Sequence, residues 1–253
     1  MMGLPYPHEV IVSDTDPAPV FGMTGYKGRH FGYGEGFMKV NQVPLIPRDE
    51  WDDRIAHQEK TRSRTSDLLK QAKWTVFNQE RTRYCWVFAA TAAVEVVRLM
   101  EKLDRVRLSP ASVGSILTNF RNVGGWSTKA IEFIAEHGIV PAIYWPPTAI
   151  SRRYNLESHW QEAKKYRVVE WWDLQPRTLD ELASALLINM PVAVGYNWWG
   201  HAVMAIDLVK IDGKYGIRIA NSWGGEWGHR GFGILLGNRA LPDDACAPVI
   251  TEP

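Results

Sequence analysis

The chain has 253 residues, and 29 Lys and Arg against 28 Asp and Glu give it a formal charge of +1 at pH 7. That length suits one large domain, or a domain with an appendage. The near-zero charge and the absence of a basic tract exclude the electrostatic footprint of a nucleic-acid-binding protein, so we expect no nucleic acid as a partner. Glu95, Asn197 or His201 interrupts each long apolar run, and no run reaches the ~18 residues of a membrane span, so no membrane partner is expected.

Two cysteines, Cys85 and Cys246, are too few for a disulfide framework. Their scarcity favours a reducing compartment or a particle assembled inside a cell. The N-terminus lacks a basic segment followed by an apolar run, so no secretory signal is predicted. We therefore expect a cytoplasmic or intracellular location, or a place within a virus particle.

Residues 1–47 have no helical or strand period, and glycines alternate with aromatic residues there. The glycines are Gly3, Gly22, Gly25, Gly28, Gly32, Gly34 and Gly36, and the aromatics are Tyr6, Phe21, Tyr26, Phe31, Tyr33 and Phe37. This pattern of glycines and aromatic residues predicts an extended arm that docks on its own domain, on a neighbouring subunit or on a larger assembly. A mixed-charge helix or linker follows, giving predicted boundaries of 1–67 for arm and linker, 68–240 for the main domain and 241–253 for a tail.

The first chemically informative stretch joins Gln79 to Cys85, six positions further on. Alanines and apolar residues at helical spacing follow Cys85, so a helix is predicted from Cys85 to about Leu103. A thiol in the first turn of a helix lies beside the positive end of the helix dipole, which favours its thiolate. The plainer interpretation of such a cysteine is a small buried hydrophobe.

Further helices are predicted in the first half of the chain, and mostly strands in the second. The helices run from Ser109-Pro110 to about Phe120, from Ser127 or Thr128 to His137-Gly138, from Glu157 to Tyr166, and from a capping box at Thr178 to Asn189. The strands are Pro191 to Tyr196, His201 to Ile211, Tyr215 to Ala220 and Gly231 to Leu236. Between the first two of these helices, Gly124-Gly125 lets the backbone lie flat against a bound chain.

Asp212-Gly213 predicts a two-residue hairpin turn. The hairpin brings His201, at the start of one strand, beside Asn221, just after the end of the next. The Asn221 amide can then fix one imidazole nitrogen and direct the other toward a thiol. Taken alone, His201 is equally typical of a satisfied core histidine.

Together, Gln79…Cys85-Trp86, Leu108-Ser109, Gly124-Gly125-Trp126, His201-Ala202-Val203 and Asn221-Ser222-Trp223-Gly224 resemble the papain-like cysteine proteases over roughly residues 70 to 237. The resemblance implies an α+β fold with a helical lobe, an antiparallel sheet or barrel lobe, and an active site in the cleft between them. It also implies that Cys85 is the nucleophile, His201 the base, Asn221 its orienting amide and Gln79 an oxyanion donor. Gly124, Gly125 and Trp223 would contact an extended polypeptide substrate, and Trp199 would wall the leaving-group side. No cofactor and no metal are implied.

Two features depart from the family pattern. Glu80 and Arg83 stand where the family has glycines, and the N-terminal arm lacks the helical signature of the family's inhibitory pro-segments, so no such role is assigned to it. Three functions stay open: a cysteine endopeptidase, a catalytically weak papain-like scaffold in a structural or assembly role, and a thiol hydrolase of cell-wall peptides or amide conjugates. Gln79 and the Asn221-Ser222-Trp223-Gly224 run favour the first over the third.

Overall fold

The computed structural model describes residues 9–28 and 43–253. The helices are α1 Trp51–Thr61, α2 Thr65–Gln71, α3 Cys85–Met100, α4 Pro110–Leu117, α5 Ser127–His137, α6 Glu157–Ala163 and α7 Asp180–Leu187. The strands are β1 Val10–Val12, β2 Val168–Asp173, β3 Val192–Tyr196, β4 His201–Ile211, β5 Lys214–Ala220, β6 Phe232–Leu236 and β7 Asp244–Thr251. Short 3-10 helices lie at Arg48–Glu50, Arg152–Tyr154, Lys164–Tyr166 and Gly237–Ala240.

The strands form one seven-stranded sheet in the order β1-β6-β5-β4-β3-β7-β2. β1 pairs with β6 in parallel, and the other neighbours are antiparallel. β4 is buried along almost its whole length because helices cover both faces of the sheet. Ala193 and Met204 pack with α3 and α5 on one face, whereas Val192 and Val203 pack with α1 and α7 on the other. This arrangement confirms the predicted α+β class.

Helix α3 is the central element of the helical side. Its residues from Cys85 to Arg98 are all buried, and small alanines let it pack closely against the sheet. The buried Glu95 accepts bonds from the backbone N–H of Leu108 at 2.8 Å and from Trp74 Nε1 at 2.9 Å, and Arg107 pairs with it at 3.0 Å. Burial raises the pKa of Glu95, and the Arg107 guanidinium opposes that rise.

The tail predicted for residues 241–253 is wrong, because Asp244–Thr251 forms β7 inside the sheet, between β3 and β2. Its first five residues are buried, so the strand lacks the alternation of apolar and polar side chains by which strands are predicted. Pro248 also favoured the prediction of a tail. Cys246 is buried on this strand and forms no disulfide. β2 was also missed by the sequence analysis.

The described part of the N-terminal arm packs on its own domain. Val10–Val12 forms the edge strand β1, and the preceding Glu9 pairs with the buried Arg218 at 2.7 Å. Arg218 also pairs with Asp207 at 2.9 Å. Burial alone would lower the pKa of Arg218, but the carboxylates of Asp207 and Glu9 raise it above its usual value. Tyr6, Phe31, Tyr33 and Phe37 lie outside the described residues, and docking on another subunit stays a prediction.

Some helix ends differ from prediction. α4 ends at Leu117, and Asn119 and Phe120 take positive φ values of 50° and 59°, which are not helical. α7 begins at Asp180 after Leu179, without the predicted cap from Thr178. No helix in residues 9–28 or 43–253 is long and apolar enough to cross a membrane.

Candidate active site

Cys85 is the first residue of α3, and its side chain is fully buried. The preceding Tyr84 anchors this end of the helix, since its hydroxyl lies 2.8 Å from Thr118 Oγ1 and donates to the carbonyl of Arg121 at 2.9 Å. The sulfur therefore has a fixed position at the positive end of the helix dipole.

His201 and Asn221 meet as the hairpin predicted, with Asn221 Oδ1 2.8 Å from His201 Nε2. The Trp223 ring stacks on the imidazole at 4.4 Å, and the Trp199 ring meets it edge-on at 4.8 Å. Both indoles are buried, so they keep water away from the His201–Asn221 contact. His201 Nδ1 is buried and makes no hydrogen bond with any described residue.

The cysteine and the histidine come together through the strand that carries the histidine. The backbone N–H of Ala202, which directly follows His201, lies near enough to the Cys85 sulfur to oppose the rise in the pKa of the thiol. The start of α3 thus lies against the start of β4, and both side chains are buried there.

Gln79 is buried and held on both ends of its amide. Its Oε1 accepts from Ser222 Oγ at 2.6 Å, and one amide N–H donates to the carbonyl of Thr82 at 2.8 Å. The other N–H donates to the carbonyl of Met23 at 2.9 Å. Gln79 therefore presents one fixed N–H to a carbonyl group inside the cleft.

That carbonyl belongs to the chain itself, because residues 19–27, here called the cleft segment, run through the site. Trp223 Nε1 donates to the same Met23 carbonyl at 3.0 Å, and Trp199 Nε1 donates to the carbonyl of Pro19 at 2.9 Å. The indoles that were expected to face a substrate are thus engaged by the protein's own N-terminal arm.

The cleft segment also pairs by its backbone with the double glycine. Gly125 N–H donates to the carbonyl of Gly25 at 3.0 Å, and its carbonyl accepts from Lys27 N–H at 3.1 Å, which makes a parallel bridge centred on Tyr26. On the other side, the carbonyl of Gly200 accepts from the N–H groups of Gly25 and Tyr26 at 3.2 and 3.0 Å. A Cβ on Gly124 would lie 1.9 Å from the Gly25 carbonyl oxygen, so the glycine there is required.

The segment changes the electrostatics of the site. Burial raises the pKa of the Cys85 thiol to about 12, against the lowering effect of N–H groups from Ala202, Gly25, Trp86 and Tyr26. Burial also lowers the pKa of His201 to about 4, and the bond to Asn221 opposes that shift. Both shifts disfavour the expected thiolate–imidazolium pair in this conformation, because burial removes the water that would stabilise the two charges.

The backbone accommodates the two residues that replace family glycines. Glu80 takes the left-handed conformation, with φ of 52°, and its N–H donates to Asn78 Oδ1 at 2.9 Å. Arg83 N–H donates to Asn122 Oδ1 at 2.7 Å. The loop before Cys85 thus keeps a defined shape.

The structure gathers the predicted residues around one cleft, with Gln79, Cys85 and Gly125 on one side and His201, Asn221 and Trp223 on the other. Sequence reasoning missed Ser222, which fixes Gln79, and it missed the cleft segment. The only signal for the latter was the density of glycines in the arm, which allows a backbone to lie close to other backbones. In residues 9–28 and 43–253, no group of three or more His, Cys, Asp or Glu side chains is arranged to hold a metal ion.

Known proteins resemble this chain in sequence. Cathepsin L 1 of Paramecium tetraurelia is 27% identical over 189 residues, which are 66% of this chain and 57% of the relative. Chymopapain of Carica papaya is 24% identical over 218 residues, 78% of this chain and 61% of the relative. The chain thus spans about three fifths of the length of these relatives.

Solved structures agree on the fold. Digestive procathepsin L 3 from the larval midgut of Tenebrio molitor superposes with a TM-score of 0.60 at 21% identity, over 70% of this chain and 66% of that one. Xylellain, a cysteine protease from Xylella fastidiosa, superposes with a TM-score of 0.58 at 19% identity, over 69% of this chain and 82% of that one.

The fold is that of the papain-like cysteine proteases, with a helical layer on a mixed sheet. The model of the papain family cysteine proteases matches residues 63–205, more than half of the chain. The chain belongs to that family.

Proposed function

We propose that the protein is a cysteine peptidase that hydrolyses peptide bonds in extended polypeptides. One observation carries the proposal. Asn221 holds His201 by Nε2, Nδ1 is left without a described partner, and the N–H of Ala202, the residue after His201, lies near the Cys85 sulfur. This is the arrangement that an acyl-transfer site with a thiol nucleophile requires.

In the proposed reaction, His201 takes the thiol proton, and the Cys85 sulfur attacks the carbonyl carbon of the scissile bond. The carbonyl π electrons move to oxygen, and the fixed Gln79 N–H stabilises the oxyanion, a contribution of about 3 kcal/mol per donor at comparable sites. His201 returns the proton to the leaving amine as the C–N bond breaks. Water, deprotonated by His201, then attacks the thioester and releases the acid and the free thiol.

The cleft segment must move before any substrate enters. The Met23 carbonyl occupies the Gln79 N–H, and Gly25 and Tyr26 cover the sulfur with their backbone. The described conformation is therefore the closed state of the proposed enzyme.

The competing hypothesis is a catalytically weak scaffold. The full burial of Cys85 and its pKa of about 12 favour that hypothesis for as long as the cleft stays closed. The two functions differ in what happens to the thiol once the segment is loosened.

Iodoacetamide labelling from pH 4 to 9 separates the two hypotheses. We would use the full chain, a Tyr26→Ala variant with a weakened segment, and that variant combined with His201→Ala. A Cys85→Ala variant gives the background from Cys246, the other buried thiol. If Cys85 and His201 form an activated pair, Cys85 in the Tyr26→Ala variant is labelled rapidly below pH 7, and adding His201→Ala abolishes this rapid labelling. Labelling that rises only near pH ~8.5 in both variants, as for an ordinary thiol, contradicts the proposed peptidase.

A further inference from the structure

A cavity of about 720 Å³ lies between helix α2 and the loop that joins β5 to β6. That volume is within the range of pockets that hold small organic ligands, roughly 300–1,000 Å³. The described residues that line it include Leu69 of α2, Gly225 of the loop and Phe232 at the start of β6. None of the proposed catalytic residues is among the described residues of its lining. The cavity is thus a candidate binding site apart from the catalytic cleft.

The interior of the cavity is apolar. Its lining reaches Leu69 and Trp74, core side chains that are 1% and 9% exposed, and it includes Val76 and Phe232. The indole N–H of Trp74 already donates to Glu95 at 2.9 Å, so this ring offers carbon atoms to a ligand. An aliphatic chain in the cavity would remove apolar surface from water on both sides, which favours binding.

The backbone carbonyl groups along this side of the cavity are already engaged. Those of Thr75 and Val76 accept from Arg107 at 3.0 and 3.2 Å, and that of Lys73 accepts from Arg105 at 2.8 Å. A ligand rich in hydrogen-bond donors therefore finds these acceptors occupied, and the site favours an apolar body over a polar one.

The mouth of the cavity carries positive charge. Lys70, Lys73 and Arg230 line it and are exposed. Among the described lining residues the one acid is Glu9, which is buried and paired with Arg218 at 2.7 Å. Lys73 and Arg230 make no ion pair with any residue in 9–28 or 43–253. The mouth therefore attracts an anion, while the interior accepts its hydrocarbon part.

We propose that this cavity binds a fatty carboxylate, with the aliphatic chain against Leu69, Trp74 and Phe232 and the carboxylate at the mouth, near Lys73 and Arg230. The proposed site goes beyond the peptidase function and does not depend on it, because binding here involves no step at Cys85.

Decanoate is the probe, and its binding to the full chain is measured by calorimetry. Octanoate should bind about tenfold more weakly, since two fewer methylene groups are buried. Decanol keeps the chain but lacks the charge, so it should bind about fivefold more weakly. Added salt should weaken the binding of decanoate and leave that of decanol unchanged, because salt screens the exposed charges.

Two sets of variants locate the ligand. Gly225→Leu places a side chain in the cavity without a clash at Cβ, since a Cβ there meets nothing within 4 Å, and it should weaken decanoate tenfold or more. Lys73→Gln combined with Arg230→Gln should weaken decanoate about fivefold and leave decanol unchanged. Lys102→Gln with Arg62→Gln is the matched control for this pair. These two are exposed cations outside the lining, with left-handed φ values of 59° and 52° against 50° and 56° in the test pair, and their loss should leave decanoate binding unchanged.

Each contrary result has a definite meaning. Unchanged decanoate affinity in a folded Gly225→Leu variant places the ligand elsewhere and overturns the site. Equal affinities for decanoate and decanol, or equal losses in the test and control pairs, overturn the role of the cationic mouth. No saturable binding of decanoate overturns the whole proposal. If Gly225→Leu fails to fold, the two charge pairs and the comparison of the three ligands decide alone.

Discussion

Acid should open the closed cleft, because His201 is held neutral under the cleft segment. Burial lowers the pKa of His201 to about 4 from an ordinary value of 6.5. In a Cys85→Ala protein no thiolate can pair with the imidazole, so when the segment leaves, water reaches the ring and the pKa of His201 returns toward the ordinary value. Between these two values the open state binds more protons than the closed state, so falling pH favours opening. The gain is roughly 30-fold, or about 2 kcal/mol, at pH 5, and it approaches about 3 kcal/mol below pH 4.

The thiol gives a second limit on the basic side. Burial raises the pKa of Cys85 to about 12 from 9.0. In a His201→Gln protein, where no imidazolium can pair with the sulfur, the open state therefore loses its thiol proton first above pH 9 and is favoured. At pH 10 the shift is about tenfold. With the two groups unable to pair, His201 therefore favours the closed state above about pH 6.5 and Cys85 favours it below about pH 9, their ordinary pKa values.

Hydrogen–deuterium exchange of the amides of Gly25, Tyr26 and Lys27, corrected for the intrinsic pH dependence of exchange, measures this opening. In the Cys85→Ala protein, protection should fall by roughly 20-fold from pH 7 to 5, while amides of β7 in the sheet interior stay protected. In a His201→Gln variant the loss of amide protection between pH 7 and 5 should disappear. Protection that is flat between pH 7 and 4.5, or that falls equally in the variant, would refute the assignment of the effect to His201.

Three further substitutions test how the segment is held. Tyr26→Ala removes a buried ring and should speed iodoacetamide labelling of Cys85 at pH 7.5 by tenfold or more, since truncating a buried aromatic costs about 3 kcal/mol or more. Glu9→Gln leaves the buried Arg218 with one carboxylate and should lower the free energy of unfolding by about 2–3 kcal/mol, seen as a lower melting temperature. Trp223→Phe removes the N–H that donates to the Met23 carbonyl and part of a buried ring, and it should weaken segment protection in hydrogen exchange by about 1 kcal/mol or more.

Matched substitutions elsewhere provide the controls for these three variants. Tyr144→Ala truncates an exposed ring, Glu50→Gln removes an exposed partner of Arg54, and Trp160→Phe removes an indole N–H that donates to Asn155 on the surface. None should alter Cys85 labelling or segment exchange. If a control variant changes Cys85 labelling or segment exchange as much as its test variant does, the change comes from a general destabilisation of the fold.

The sequence predicted the contact between His201 and Asn221 and the α+β class, but it did not predict every strand. Cys85, His201 and Asn221 lie on elements with strong local signals: a helix start, a strand start and a hairpin with Asp212-Gly213 at its turn. Those signals act over short separations, so they fixed the geometry of His201 and Asn221 before any tertiary contact was known.

The missed features depend on contacts between distant parts of the chain. β7 is buried between two strands and has no alternation to reveal it, and β1 is three residues long and is held by β6 and by the Glu9–Arg218 pair. The cleft segment makes its bonds to Gly125, Gly200 and Gln79, all far away in sequence. No local pattern encodes such pairings. The helix terminus was expected to lower the pKa of the Cys85 thiol, but burial outweighs that effect and raises it.

The chain on both sides of the cleft segment is anchored in the folded domain. We therefore expect the cleft to open when the segment shifts aside while it remains attached at both ends. Upstream, β1 pairs with β6, and Glu9 is buried with Arg218. Downstream, the buried Ile46 donates its N–H to Ser184 Oγ at 2.9 Å. A cut in the intervening chain should therefore leave the segment seated, because β1 and its ion pair still hold it.

A recognition sequence for a site-specific protease, inserted after Lys39 in the full chain, tests this expectation. After cleavage, we expect the N-terminal fragment to stay with the domain in native mass spectrometry and Cys85 to label no faster than in the uncut protein. If the fragment dissociates and Cys85 labels as fast as in the Tyr26→Ala variant, the cut alone frees the cleft of the segment. That result would contradict opening by displacement of a segment that stays attached.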